Sequence, residues 1–162
     1  MNTIGEYFVK KNGDGISAKE NIISGKNYRF TVLTDRLIRL EYSPNGVFED
    51  RLTQRVIYRN FPKVAFNFNQ TDILIQVITS YFTLDYVKDK SFSSGKLTPG
   101  SNLKITLNNT DRIWYYNHPE ARNFGGITYS LDNFSGNLKL EKGLYSTDGF
   151  AVLAASDSLV LD

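Results

Sequence analysis

The stretch YRFTVLTDRLIRLEY, residues 28–42, contains two runs of aromatic and β-branched residues separated by a short polar break. Residues 28–33 form the first run, residues 37–42 form the second, and residues 34–36 separate them. Two such runs joined by three residues have the spacing of a β-hairpin with a short loop. The sequence therefore predicts an antiparallel pair of strands here.

Similar signals follow on the C-terminal side of this hairpin. The turn Ser43-Pro44-Asn45-Gly46 ends the second strand, because proline fixes φ and Asn-Gly tolerates positive φ. Further alternating or continuous apolar runs predict strands at residues 64–69, 73–80, 82–87, 103–107, 149–153 and 158–161. Short strands separated by turns, with little helix, predict an all-β antiparallel β-sandwich.

The stretch at residues 118–149 differs from the rest of the chain because it has no sustained periodicity. Pro119 and four glycines interrupt any long element there, at positions 125, 126, 136 and 143. Long irregular stretches in compact domains are usually functional or disordered. We therefore expect any contribution to a binding site to come from this part of the chain.

Composition restricts the class of protein. The 162 residues suit a single domain over residues 1–162, and 19 basic against 17 acidic residues give a net charge of only +2. This balance favours neither duplex nucleic acid nor an anionic membrane as a partner. There is no cysteine, no apolar leader and no run long enough to span a bilayer, so we expect a cytoplasmic protein with no membrane partner.

Groups able to carry catalysis are scarce. The sequence has no nucleophile elbow, Walker loop, dinucleotide fingerprint or HExxH motif. We interpret its one histidine, His118, as an ordinary loop residue. Glu49 and Asp50 are adjacent, so in an extended chain they point in opposite directions. We therefore interpret them as surface ion-pair partners of Arg51 and Arg55 rather than as a catalytic pair. We predict no catalytic residue, no metal and no cofactor.

Two aromatic-rich segments keep other interpretations open. Six arginines between residues 29 and 59 alternate with aromatic residues, which suggests single-stranded nucleic-acid binding, but cross-strand salt bridges explain them better. Trp114, Tyr115 and Tyr116 could stack on a sugar ring or belong to the core. An independent carbohydrate-binding module that uses Trp114, or a protein-interaction sandwich, thus remains an alternative function.

Three stretches resemble the N-terminal region of glycoside hydrolase family 31, which includes α-glucosidases and α-xylosidases. They are RFTVLTDRLIRLEYSPNGVFEDRLTQRV at 29–56, continued by RNFP at 59–62, NFGGITYSLD at 123–132 and GLYSTDGFAVL at 143–153. The resemblance implies a galactose-mutarotase-like sandwich beside a (β/α)8 barrel that carries the catalytic aspartates. Since the sequence ends at Asp162 within an apolar pattern, we expect truncation before that barrel.

What the resemblance implies for function is an accessory role. The domain would be non-catalytic, would support the barrel of the same polypeptide and would lend a loop to the pocket that holds an α-linked sugar. In this family an acidic loop residue commonly meets sugar hydroxyls, and Asp132 matches that position. The alternative for Asp132 is a turn cap before Asn133. Asp148 reads as a turn residue, with Gly149 taking positive φ.

One departure from the family pattern lies near the C-terminus. Ala154 and Ala155 stand where the resembling branch usually has two aspartates. Any contact made by those carboxylates is therefore absent from this chain.

Overall fold

The computed structural model describes residues 11, 13–88, 90–93, 101–120, 122–126 and 132–161. After a short 3-10 helix at Lys19–Asn21, eight strands follow: β1 (Ile22–Ser24), β2 (Tyr28–Thr34), β3 (Leu37–Tyr42), β4 (Asn67–Gln70), β5 (Leu74–Ile78), β6 (Phe82–Val87), β7 (Leu103–Leu107) and β8 (Ile113–Tyr115). Among these described residues, no helix has the length and apolar character needed to cross a bilayer.

The strands form two antiparallel sheets that enclose one apolar core. The smaller sheet has the order β1-β2-β3 and the larger has the order β4-β5-β6-β7-β8. Tyr28 and Phe30 of β2 each place their ring centroid 5.2 Å from the ring of Tyr86 in β6. Edge-on aromatic contacts at this distance join the two layers. The prediction of an all-β antiparallel sandwich with little helix is confirmed.

The hairpin predicted at residues 28–42 is present. β2 and β3 pair from Tyr28↔Tyr42 to Thr34↔Leu37, with an irregularity between Val32 and Thr34. The predicted turn after β3 also forms, because Gly46 has φ 73° and its N–H donates to the Ser43 carbonyl at 3.1 Å. β1 adds a third strand that the sequence analysis did not single out.

The larger sheet follows the predicted alternation in its centre. Phe82, Leu84 and Tyr86 are buried while the residues between them are half-buried, so β6 presents one face to the core. β5 and β7 lie where strands were predicted. The strand predicted at residues 64–69 is shorter in the structure: β4 begins only at residue 67, and all four of its residues are exposed. Val64 and Phe66 pack against the core ahead of it.

The two strands predicted near the C-terminus, residues 149–153 and 158–161, do not form. In this part of the described chain the strand-type pairing is a single isolated bridge, Thr53↔Val160. Val152, Leu153 and Leu159 are exposed. An apolar pattern makes a strand only where a neighbouring strand completes its hydrogen bonds. Residues 149–153 pair with no strand of the described chain, and residues 158–161 pair with residues 52–54 over too short a length to form a strand.

The outer face of β2 is covered by residues 49–59. Six of the seven β2 residues are buried, including Arg29 and Leu33. Arg29 donates to the Glu49 carbonyl at 3.2 Å, and Leu52 and Arg59 are buried beside it. The first stretch that resembles family 31 thus forms the hairpin together with the segment that covers it.

Candidate functional site

The irregular region is organised by pairing between residues 122–126 and 141–147. The Phe124 N–H donates to the Tyr145 carbonyl at 3.0 Å, and the Thr147 N–H donates to the Arg122 carbonyl at 3.2 Å. An isolated bridge joins Asn123 to Ser146. The second and third stretches that resemble family 31 therefore lie against each other, although residues 133–142 separate them in the sequence.

The Asn123 side chain holds this pairing together. Its amide nitrogen donates to the Gly143 carbonyl at 2.8 Å, and its Oδ1 accepts from the backbone N–H groups of Gly125 and Gly143, both at 2.9 Å. A Cβ at Gly143 would lie 2.4 Å from the Gly125 carbonyl oxygen. Only glycine allows the two backbones to approach this closely.

Asp148 joins the C-terminal end of this region to Arg122. Its Oδ1 accepts from Arg122 Nε at 2.6 Å, and its Oδ2 accepts from the Arg122 N–H at 3.2 Å and from Ser146 Oγ at 3.3 Å. Burial alone would raise the pKa of this carboxyl, but the hydrogen bonds from Arg122 outweigh burial and lower the pKa. The turn predicted for Asp148 also forms, because Gly149 has φ 83°.

An aromatic contact brings His118 against Phe150. The His118 ring centroid lies 4.8 Å from that of Tyr115 and 5.0 Å from that of Phe150, both in edge-on geometry. His118 Nδ1 accepts from the Glu120 N–H at 3.0 Å. Since an acceptor nitrogen carries a lone pair, the neutral ring must hold its proton on Nε2. His118 is therefore held in one orientation and one tautomer.

These side chains line an open cavity of about 350 Å³, which we call the arginine cavity. Its lining consists of Asp111, Arg112, Ile113, His118, Arg122, Asp148 and Phe150. A second cavity of about 370 Å³, the Tyr145 cavity, shares Phe150 with the first. Arg36, Tyr145 and Ser146 are part of its lining. Residues 144–151 thus contribute to two neighbouring cavities.

Glu120 is the strained residue of this region. Its φ is 50°, a conformation that non-glycine residues rarely adopt, and its side chain is buried. Oε1 accepts from Lys142 Nζ at 2.9 Å, whereas Oε2 has no hydrogen-bond partner among the described residues. Strain and an unpaired buried oxygen in one residue are more typical of functional regions than of structural turns.

The structure separates the two residues that the sequence analysis named for sugar binding. Asp132 is exposed in a turn, followed by Asn133 at φ 62°, while residues 127–131 of the same stretch lie outside the described residues. Trp114 is 7% exposed and belongs to the apolar core. This burial supports the core interpretation of Trp114. The role of Asp132 in sugar binding stays a prediction.

The acidic residues near the hairpin form ion pairs. Glu49 Oε2 lies 2.8 Å from Arg51 Nη2, and Asp50 Oδ1 lies 2.6 Å from Arg29 Nη1. The ion-pair interpretation of Glu49 and Asp50 is confirmed, although Asp50 pairs with Arg29 rather than with Arg51 or Arg55. The hydrogen bonds from Arg51 lower the pKa of Glu49 to about 2.

Behind these pairs lies a cluster of arginines around Glu41. Arg29 and Arg39 both pair with Glu41 at 2.7 Å, and Arg59, 2% exposed, donates to the Arg51 carbonyl at 2.6 Å. Arg59 Nε has no partner among the described residues. Burial lowers the pKa of Arg59 and lowers that of Arg39 to about 10. Arg29, Arg39 and Arg59 therefore bind Glu41 or the backbone carbonyls of residues 49 and 51.

Five residues of the arginine cavity were missed by the sequence analysis: Asp111, Arg112, Ile113, Arg122 and Phe150. Their common signal is only their position in or next to the irregular stretch. Across the described residues, no group of three or more histidine and carboxylate side chains could hold a metal ion. No protein-family model matches the chain, and no curated protein matches it either.

Proposed function

We propose that this chain is the non-catalytic N-terminal domain of an α-glucosidase-like glycoside hydrolase of family 31. In that role it supports a catalytic barrel in the same polypeptide and lends its irregular region to the rim of the sugar pocket. The observation that carries the proposal is the contact between the second and third resembling stretches, together with the contact of the first stretch with the residues that follow the third.

The second and third stretches meet through the Phe124–Tyr145 hydrogen bond and the Asn123–Ser146 bridge. The first stretch meets the C-terminal segment, because the Gln54 N–H donates to the Leu159 carbonyl at 2.8 Å. Arg55 also donates to the carbonyl of Ala154, which directly follows the third stretch. The second and third stretches thus contact each other, and the first contacts residues that follow the third.

The exposed apolar side chains support a role beside another domain. Half of the large apolar residues exposed in the described part of the chain fall between positions 124 and 159: Phe124, Phe134, Leu140, Leu144, Tyr145, Val152, Leu153 and Leu159. Single exposed apolar residues are ordinary, but a concentration of them in one part of the chain is typical of an interaction surface. A protein-interaction sandwich would use the same residues.

The proposal also includes a cytoplasmic location and an α-linked sugar as the substrate of the whole enzyme. The cysteine-free sequence fits a reducing compartment. Asp132 is the residue proposed to meet sugar hydroxyls, because a carboxylate forms charge-assisted hydrogen bonds that fix the orientation of a sugar.

The test begins with the reading frame that contains this sequence. We expect it to continue into a (β/α)8 barrel, and the extended polypeptide to hydrolyse an aryl α-glucoside that residues 1–162 alone do not hydrolyse. Adding the 162-residue chain to the separately expressed barrel should restore activity. Hydrolysis by the isolated chain, or an extended polypeptide without glycosidase activity, would overturn the proposal.

Asp132→Asn in the extended polypeptide tests the site within the same experiment. The variant should raise KM for the α-glucoside, and its melting temperature, measured in parallel, shows whether it is folded. Asp157→Asn, at another exposed carboxylate, is the matched control and should leave KM unchanged. An unchanged KM for Asp132→Asn would show that Asp132 does not contact the sugar.

A further inference from the structure

We propose that the arginine cavity binds a small organic carboxylate. This inference rests on the lining of that cavity alone and does not depend on the proposed function. It follows from three properties of the lining. Its buried carboxylate, Asp148, already accepts hydrogen bonds within the protein, its arginines and histidine have unused donors, and Phe150 and Ile113 are apolar.

The acceptors of the cavity are committed within the protein. Asp148 Oδ1 accepts from Arg122 Nε, and Asp148 Oδ2 accepts from the Arg122 N–H and from Ser146 Oγ. Asp111 is the other carboxylate of the lining, but its side chain is 98% exposed and lies 3.7 Å from Arg112 Nε. At that exposure water screens its charge, so it provides no fixed acceptor inside the cavity.

The donors of the cavity are only partly used. Arg112 Nη1 donates to the Thr147 carbonyl at 2.8 Å, and no described residue accepts from its Nη2. The terminal guanidinium nitrogens of Arg122 likewise have no acceptor within the described chain, since Asp148 takes only its Nε and backbone N–H. The third donor is the Nε2–H of His118, whose Nδ1 is occupied by the Glu120 N–H.

Three donors in the lining favour a ligand that is rich in acceptors. A guanidinium matches the two oxygens of a carboxylate, and hydrogen bonds between such charged partners are about twice as strong as neutral ones. A neutral sugar also needs acceptors for its hydroxyl hydrogens, and the lining offers few, because Asp148 already accepts three hydrogen bonds and Asp111 is exposed to water. The donor set therefore points to an anion rather than to a neutral polyol.

The rest of the lining limits the size and character of the ligand. Phe150 and Ile113 supply apolar surface, and the volume of about 350 Å³ lies near the small end of ligand pockets. A ring or short chain that bears one carboxylate fits this combination. The neighbouring charges of Glu120 and Lys142 pair with each other at 2.9 Å, outside the lining.

The binding test uses the whole chain and titration calorimetry with four probes. Benzoate and glucuronate are the carboxylates, glucose is the uncharged match of glucuronate, and inorganic phosphate is an anion without an apolar part. We expect saturable binding of at least one carboxylate at millimolar concentration and no binding of glucose. Failure of both carboxylates to bind, or glucose binding as tightly as glucuronate, would overturn the proposal, as would binding of phosphate alone.

Three variants locate the site. Arg112→Gln should weaken carboxylate binding at least about tenfold, since it removes a hydrogen bond to a charged ligand. His118→Asn can still accept the Glu120 N–H but loses the Nε2 donor, so it should weaken binding while the melting temperature stays within a few degrees of wild type. Lys63→Gln removes one positive charge at an exposed position and should not change the affinity.

Arg112 and His118 are better targets than Arg122, because replacing Arg122 would also leave the buried Asp148 without its partner. Circular dichroism and melting temperature confirm that each variant is folded before its affinity is compared. Equal affinity in Arg112→Gln, His118→Asn and Lys63→Gln would place any observed binding outside the arginine cavity and overturn the assignment.

Discussion

Arg29 and Glu41 face each other across the β2–β3 hairpin and are joined by two hydrogen bonds, of 2.7 Å from Arg29 Nε and 3.0 Å from Arg29 Nη2. Arg39 contacts the same carboxylate at 2.7 Å. Burial alone would lower the pKa of Arg29, but Glu41 and Asp50 outweigh burial and raise it. One carboxylate thus holds two guanidinium groups beneath the cover formed by residues 49–59.

Glu41→Gln should destabilise the protein strongly. The substitution keeps the shape of the side chain but leaves Arg29 and Arg39 without their shared counter-charge in a place where water is largely excluded. Breaking a buried ion pair on one side costs about 3 kcal/mol. Urea unfolding followed by circular dichroism measures this loss of unfolding free energy.

Asp157→Asn is the matched control for that measurement. Asp157 also pairs with an arginine, Arg55, at 3.2 Å, but its side chain is 78% exposed. Exposed pairs contribute below about 1 kcal/mol, so the control should unfold close to the wild-type midpoint. Equal destabilisation by the two substitutions would contradict the role given to the buried cluster.

The depressed pKa of Glu49 predicts a dependence of stability on pH. The folded protein lowers this pKa from 4.5 to about 2, chiefly through the Arg51 hydrogen bonds. A group whose pKa is depressed on folding contributes its full stability above 4.5, and the contribution disappears as the pH falls toward about 2. The difference in unfolding free energy between wild type and Glu49→Gln should therefore shrink over that interval.

The Glu49 effect should be small and sensitive to salt, because both partners of this ion pair are exposed. Raising the ionic strength to about 1 M shortens the screening length to a few ångströms and should reduce the difference further. A difference between wild type and Glu49→Gln that grows as the pH falls would have the wrong sign for this explanation.

The pattern of apolar residues along the chain was sufficient to predict the β2–β3 hairpin and the central strand β6. The hairpin and the alternating burial of Phe82, Leu84 and Tyr86 are properties of neighbouring residues, and periodicity reports directly on such properties. β1 was missed because three residues carry too little periodic signal. The strand predicted at residues 149–153 failed for a different reason: its apolar residues have no neighbouring strand to pair with.

The candidate site was predicted only in its general location. Arg122 and Asp148 stand 26 positions apart, and their contact depends on the path of the irregular chain between them. Phe150 reaches His118 by the same path. Neither pairing follows from residue type or spacing, whereas the positive φ of Gly149 does, because the residue type itself signals that backbone conformation.

Trp114 offers a direct spectroscopic test of the core. It is the single tryptophan and is 7% exposed, so its fluorescence emission should be blue-shifted and poorly quenched by iodide in the native protein. Maltose at millimolar concentration should leave the emission unchanged. Unfolding in urea should shift the emission to the red and restore quenching by iodide. A saturable response of native Trp114 to maltose would instead favour an independent carbohydrate-binding module.

The close approach of Gly125 and Gly143 predicts different outcomes for two neighbouring glycines. Gly143→Ala would place a Cβ 2.4 Å from the Gly125 carbonyl oxygen, so the backbone must move, at a cost of about 1–3 kcal/mol. Gly126→Ala meets only the Gly143 Cα, at 3.6 Å, and should change stability by less than about 0.5 kcal/mol. Hydrogen exchange at the Phe124 and Thr147 amides should accelerate in Gly143→Ala alone. Equal exchange in the two variants would mean that the glycine contact does not hold the two segments together.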